Sequence, residues 1–315
     1  MYQKEKTQLD EILSPISDHI LKTNEKLLEN LSKENQTIRE IAKYAVFSNG
    51  KRLRPAFVFL FAKMVNSDIT YKHYLLAQVT ELIHVASTIH DDVVDNSPTR
   101  HHQPSVFKQW GIKEAIISGD FLLAKAMTLL SQIENSKLIS MFSKITEELC
   151  SGELQQLMQT NNNPTLDEIV EKSKRKTAML YIAAAKGSLF VSGADKEALS
   201  KAEEYAKNFG IAYQITDDLL AYKDDYEEKS QFSDFENKIF TPVSFFACEE
   251  NPKIMLMTSY EEFQNEIKKT NALEKTNLLA SQYINRAIDS LSFFEDNIAK
   301  QTIINLTNYI KERTI

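Results

Sequence analysis

Glycine and proline are scarce, with 7 of each in 315 residues. Glycine supplies left-handed turns and proline interrupts helices, so a chain poor in both has few tight turns and few enforced breaks. Cysteine is scarcer still. Cys150 and Cys248 lie far apart in no metal-ligand or redox spacing, which leaves them as idle or buried thiols. Long apolar runs are absent: the longest, near Pro55–Ala62, is too short to span a bilayer, so any lipid encounter is expected to be peripheral, during product release. The net charge is −7 and the basic residues are scattered, which argues against a broad cationic face for nucleic acid. Acidity and a polar, charged start over Met1–Asp10 argue for a cytoplasmic protein without a signal peptide.

What fills the chain instead is Ala, Leu, Glu, Lys and Gln in helical periods, with 43% hydrophobic residues, ample for a continuous core. No internal repeat or low-complexity segment divides it, so an all-α fold in a single domain over residues 1–315 is expected. Helices are expected from Gln8 to Leu31, Glu34 to Phe47, Pro55 to Val65 and Lys72 to Asp95. More follow at Ile112–Ile133, Ser136–Thr160, Thr165–Ser192, Lys196–Lys223, Pro242–Glu249, Tyr260–Lys268, Ala272–Leu291 and Phe294–Glu312. Thr99–Gly111 and the acidic stretch Asp224–Thr241 read as loops, the second long enough to suggest function.

Two acidic clusters stand inside strongly apolar helices: Asp91-Asp92-Val93-Val94-Asp95 and Asp217-Asp218. Carboxylates gathered on apolar elements repel one another and are costly to desolvate, so such clusters ask for cations. All five aspartates are candidate metal ligands. Asp91 and Asp95, four apart, share one helix face, with Asp92 rotated by roughly 100°. Aspartates at the carbonyl end of a helix are electrostatically unfavourable unless something positive joins them. Mg²⁺ fits, since it takes one or two carboxylates, several waters and phosphate oxygens. One turn back lie Ser87, Ala86 and His84. The small side chains of Ala86 and Ser87 leave a channel below the acidic face open, where an aromatic would plug it. Three groups of cations could meet a diphosphate: Lys51-Arg52-Leu53-Arg54, Arg100-His101-His102 and Lys174-Arg175-Lys176-Thr177.

In order along the chain, Gly50-Lys-Arg-Leu-Arg-Pro, His84, Asp91-Asp92-x-x-Asp95, Gly119-Asp120-Phe-Leu-Leu-Ala, Gly152-Glu153 with Gln156, Lys176-Thr177 and Tyr213-Gln214-x-x-Asp217-Asp218 resemble the trans-isoprenyl diphosphate synthases, the polyprenyl synthetase family. The match covers roughly residues 40 to 242. The resemblance implies a large helical bundle of the isoprenoid synthase type around a central cavity, working as a homodimer or with a small partner subunit. It implies Mg²⁺-dependent head-to-tail condensation of isopentenyl diphosphate with an allylic diphosphate. On that pattern Asp91, Asp95 and Asp217 hold three Mg²⁺ ions against the allylic diphosphate, and Arg100, Lys176 and Lys238 add cationic contacts. Thr177 and Gln214 face the allylic cation, while Lys51, Arg54, His84 and His101 hold isopentenyl diphosphate. Ala86 and Ser87 point to a medium or long product, of the quinone side-chain kind, rather than a farnesyl or geranylgeranyl one.

The chain departs from the pattern at three places. His101 stands where a second arginine is usual, Ala221 where the second cluster has a third aspartate, and the loop after Asp224 lacks the usual Gly-Lys. Lys229 lies one place off that register as a substitute, with Asp234 and Lys238 keeping the pattern beyond it. These losses favour a degenerate or partner-dependent subunit as the alternative reading. A His-Asp metallohydrolase at His90-Asp91 lacks the further upstream His, a di-iron bundle needs the Glu81-Leu-Ile-His84 motif twice, and a terpene cyclase would not need Lys51, Arg54 and His84.

Overall fold

The structure is a computed structural model that describes residues 2–48, 50–100, 103–158, 163–220, 222, 235–236 and 238–313. Those residues gather into two compact units, Met1–Ser143 with Ile182–Ala202 and Phe293–Asn305, and Lys144–Tyr181 with Glu203–Ser292 and Leu306–Ile315. Among the described residues no helix is long and apolar enough to cross a membrane.

The first unit is built on α4 (Leu53–Met64) and α5 (Tyr71–Val94). Every residue of α4 except Arg54 and Lys63 is buried, so it is a helix apolar on all sides and enclosed by neighbours. Phe59 stacks on His19 with centroids 5.2 Å apart, and Phe61 meets Phe294 edge-on at 6.4 Å. Pro55 sits third in the helix, inside the first turn where a missing N–H costs nothing. At the other end Asn297 Nδ2 donates to the Met64 carbonyl at 3.0 Å and closes the helix. Around this pair lie α2 (Ser17–Ser32), α3 (Gln36–Val46) and α7 (Ile112–Ser131), and α1 (Tyr2–Ile12) meets the turn that leads into α2. The single expected helix from Gln8 to Leu31 is instead two, parted by a 3₁₀ turn at Ser14–Ile16 because Pro15 cannot continue the first.

The expected loop Thr99–Gly111 is also more ordered than its composition suggested. β1 (Thr99–Arg100) pairs antiparallel with β2 (Gln103–Pro104), and α6 (Val106–Trp110) follows. Long-range contacts order it: the Tyr44 hydroxyl donates to the Pro104 carbonyl at 2.7 Å, and Trp110 meets the Tyr44 ring edge-on at 4.8 Å.

His73, fully buried near the start of α5, accepts the Thr70 N–H at its Nδ1 (3.2 Å) and faces Ser192 Oγ with Nε2 (3.1 Å). With Nδ1 accepting, the proton of the neutral ring belongs on Nε2. Burial lowers its pKa from 6.5 to about 4. The native state therefore resists a proton that the unfolded chain takes up. Stability from this site is complete above pH 6.5 and is lost progressively as pH falls towards 4, by up to about 3 kcal/mol. His73→Gln keeps an acceptor near Thr70 and cannot titrate. Urea melts of the parent should weaken between pH 7 and 4.5 more than those of the variant, and parallel losses would remove His73 as the cause.

In the second unit, α11 (Lys196–Leu220) carries a stacked aromatic row: Tyr205 and Phe209 are 5.8 Å apart, and Tyr181 meets Phe209 edge-on at 5.0 Å. Tyr205, fully buried, shares a 2.7 Å hydrogen bond with Thr307 of α15 (Ile298–Glu312). The expected helix Thr165–Ser192 proves to be α9 (Leu166–Ser173), a π-helical turn at Lys174–Ala178, and α10 (Met179–Val191). Wide turns of this sort often occur at functional positions. The remaining elements are α8 (Ser136–Met158), α12 (Pro242–Glu250), α13 (Tyr260–Lys268) and α14 (Ala272–Ser290), with α12 packed on α9, α13 and α14. Phe235 packs into the α13 cluster, 4.9 Å from the Phe263 ring. Most of the expected loop Asp224–Thr241, with Lys229, Asp234 and Ala221 just before it, lies outside the described residues, as does His101.

Candidate active site

In the first unit the acidic cluster forms the carbonyl end of α5. Asp91 is in its last turn, Asp95 is the capping residue, and the Asp95 N–H donates to the Asp91 carbonyl at 2.8 Å. Both side chains are half-buried on that end. Asp92 is different. It is 3% exposed and turned inward, where Arg100 Nε donates to its Oδ1 at 3.0 Å and Nη2 to the same oxygen. Burial pushes the Asp92 carboxyl up, and the Arg100 guanidinium pulls it partly back. Of the five aspartates expected as metal ligands, Asp92 is held in an ion pair with Arg100. Arg100, expected on the diphosphate, ties the β1–β2 ladder to α5 through Asp92 while 40% of its side chain stays exposed.

One turn back, Ala86 is buried and Ser87 half-buried, with Ser87 Oγ donating to the His84 carbonyl at 2.9 Å. His84 lines an open cleft together with Gly50, Glu81, Thr88, Asp92 and Arg100. Lys51 and Arg54 flank that region at the entry to α4, both half-buried. Arg52, between them, reads in the sequence as one more cation for phosphate. The structure folds it into the protein, onto Glu81, Asn24 and the Val46 carbonyl.

In the second unit the arrangement starts from two glycines. A Cβ on Gly210 would fall 2.4 Å from the Ala178 Cα, so α11 and the π-helical turn approach as only glycine permits. One residue before Ala178 is Thr177, and four after Gly210 is Gln214, so the close crossing brings these side chains together. The Thr177 hydroxyl donates to Gln214 Oε1 at 2.6 Å, and Gln214 Nε2 donates to Asp218 Oδ1 at 3.0 Å. A Cβ on Gly152 would meet the Arg175 Cβ at 3.0 Å, and beside this contact Lys176 Nζ lies 3.4 Å from Glu153 Oε2.

Asp217 has a partner that sequence spacing did not reveal. Arg313 Nη1 donates to its Oδ1 at 3.0 Å, while the guanidinium sits 5.6 Å from the Tyr213 ring centroid and the Arg313 side chain is 6% exposed. Lys238 also turns elsewhere: its ammonium donates to the Met257 carbonyl at 2.7 Å and lies 4.6 Å from the Phe235 ring centroid.

Among the described residues no group of three or more His, Cys, Asp and Glu side chains stands together as a closed metal cage. Asp91 and Asp95 place two carboxylates at the negative end of a helix dipole. That suits Mg²⁺, which keeps waters and takes its remaining oxygens from a bound phosphate. Asp217, with Asp218 on the same helix, would offer a second position once an ion took the place of Arg313 on its carboxylate.

A family model described as Polyprenyl synthetase matches residues 35–276. A "Prenyl transferase" of Cyanidium caldarium is 34% identical over 93% of this chain and 95% of its own length. A decaprenyl-diphosphate synthase of Dictyostelium discoideum is 32% identical over 90% of this chain and 64% of its own. Among solved structures, a decaprenyl diphosphate synthase from Rhodobacter capsulatus aligns with a TM-score of 0.90 at 27% identity, over 98% of this chain and 99% of that one. Fold, motif order and matched span agree, and the chain belongs to the polyprenyl synthetase family.

Proposed function

We propose that this trans-prenyltransferase joins isopentenyl diphosphate head to tail onto an allylic diphosphate and repeats the step to a medium or long all-trans polyprenyl diphosphate. The observation that carries the reading is the end of α5, where Asp91 and Asp95 cap one helix face while Asp92 is withdrawn onto Arg100. The names of the Dictyostelium and Rhodobacter relatives support a product of that length. Both units serve one catalytic domain on this reading, because family motifs fall in each and the unit boundaries fall inside α8, α10, α11 and α15.

Breaking the allylic carbon–oxygen bond heterolytically leaves charge on the diphosphate, so the site must supply positive charge there and an apolar, closed place for the carbocation. Mg²⁺, three ions by the family pattern, supplies the Lewis acidity when bound. Asp91, Asp95 and Asp217 would hold it, and Lys176 would leave Glu153 for a phosphate oxygen. The Thr177 hydroxyl and Gln214 carbonyl turn lone pairs and dipoles towards the developing cation. Lys51, Arg54 and His84 would grip isopentenyl diphosphate, whose double bond attacks; the departed diphosphate accepts the proton that is then lost.

Incubating the pure chain with labelled isopentenyl diphosphate, several allylic primers and Mg²⁺, then sizing the products, tests this. Products several isoprene units longer than the primer are expected. Arrest after one or two additions would overturn the chain-length reading, and incorporation only after a second polypeptide is added would favour the partner-dependent one.

A homodimer belongs to the same proposal. Helix α7 exposes Ile112, Ile116 and Ile117 (56%, 43% and 63%) on its outer arc, an apolar patch that a second copy would cover. Ile117→Glu should sediment as a monomer at concentrations where the parent is a dimer. A dimer indifferent to the charge would exclude this face.

A further inference from the structure

Arg52 stands in the middle of the Lys51-Arg52-Leu53-Arg54 run, yet only 11% of its side chain is exposed. Its backbone is left-handed, with φ 53° and ψ 30°, a region that residues with a Cβ seldom occupy. That conformation turns the side chain away from its neighbours and into the protein. There Nε donates to Asn24 Oδ1 of α2 at 3.1 Å, Nη1 donates to Glu81 Oε1 of α5, and Nη2 donates to the Val46 carbonyl at the end of α3. The guanidinium also lies 5.7 Å from the Phe47 ring centroid. Glu81 is 2% exposed and stands three residues before His84 on the same helix. One planar fork therefore ties three helices to the short segment that enters α4, with donors in the three directions that an ammonium could not satisfy together.

We propose that Arg52 and Glu81 are a positioning pair for the isopentenyl diphosphate site. Arg52 holds the backbone between Lys51 and Arg54 against α5, and Glu81 fixes that grip one turn from His84, so the three binding side chains share one rigid frame. Both members line the cleft beside His84, and the role assigned to them is to hold its binding side chains in place. The proposal rests on the reading of Lys51, Arg54 and His84 as the isopentenyl diphosphate ligands.

The test is steady-state kinetics on the full-length enzyme with Arg52→Lys and with the double variant Arg52→Met/Glu81→Leu. Lys and Met carry the same Cβ as Arg, so backbone strain at position 52 is unchanged. The double variant removes both buried charges together, so neither is left as a lone buried ion. Misplacing binding groups by about 1 Å costs on the order of tenfold to a hundredfold. Both variants should therefore raise the KM for isopentenyl diphosphate about tenfold or more, while the KM for the allylic primer and the Mg²⁺ half-saturation stay as in the parent. A double variant with parental KM for isopentenyl diphosphate would overturn the proposal, as would equal losses in every parameter with Arg52→Lys. Lys51→Ala separates the two levels of the argument. If it leaves that KM unchanged, the site reading fails; if it raises the KM and the Arg52 variants do not, the positioning role fails.

Discussion

Asp91→Asn is expected to cut turnover about a thousandfold, equivalent to ~4 kcal/mol of lost transition-state stabilisation, with little change in thermal stability. The amide keeps the shape of the carboxylate and loses its charge, so a divalent ion at the end of α5 loses half of its protein ligand pair there. The charge sits unfavourably at the helix carbonyl end, which offsets part of what its removal costs the fold. Asp92→Asn should do the reverse. Its carboxylate is buried and accepts two N–H groups from Arg100, and an amide there keeps an acceptor but loses the charge that anchors the guanidinium. The melting temperature should fall first, with activity following the loss of the β1–β2 anchor. Turnover with Mg²⁺ titrated for each variant, beside thermal melts, separates the two. Equal kinetic loss at an unchanged melting temperature for Asp92→Asn would mean that it, too, serves as a metal ligand.

An aromatic one turn below that site should change the product rather than the rate. With Phe at Ser87 the products should shorten by one or more isoprene units while the first condensation proceeds at close to its parental rate, because the added ring blocks the growing tail and leaves both diphosphates untouched. Ser87 is half-buried and its hydroxyl donates to the helix carbonyl of His84, so a ring there displaces less packing than at a fully buried position. Ala86 is 3% exposed, and a ring there must displace packed neighbours at a cost of about 1–3 kcal/mol. Ala86→Phe should therefore shorten the product with a lower melting temperature, and Ser87→Phe with less of that penalty. Chromatographic sizing of products from both variants decides it. An unaltered length distribution in both would place the tail elsewhere.

How much of this was readable in the sequence follows from the range of the forces involved. The helix ending in the acidic cluster was legible because apolar periodicity and clustered aspartates are local signals, and so was the pairing of Asp91 with Asp95, which is a matter of helical pitch. Positions 177 and 214 were legible as a motif, but the bond between them depends on the close crossing at Gly210, which no local pattern shows. The π-helical turn at Lys174–Ala178 leaves the apolar pattern nearly intact, so a single long helix was the natural expectation. Arg52 misleads because a basic run reads as a charged surface until a left-handed backbone turns one member inward. Arg313 on Asp217 is a contact across 96 residues, invisible to spacing. The Lys238 ammonium meets the Met257 carbonyl and the Phe235 ring, contacts that motif position does not show.

The most direct measurement of the central claim is anomalous diffraction from crystals grown with Mn²⁺ and an unreactive thio analogue of an allylic diphosphate. The account predicts metal peaks bonded to Asp91, Asp95 and Asp217, each completed by oxygens of the diphosphate. Analogue bound with no metal touching these three aspartates would contradict it.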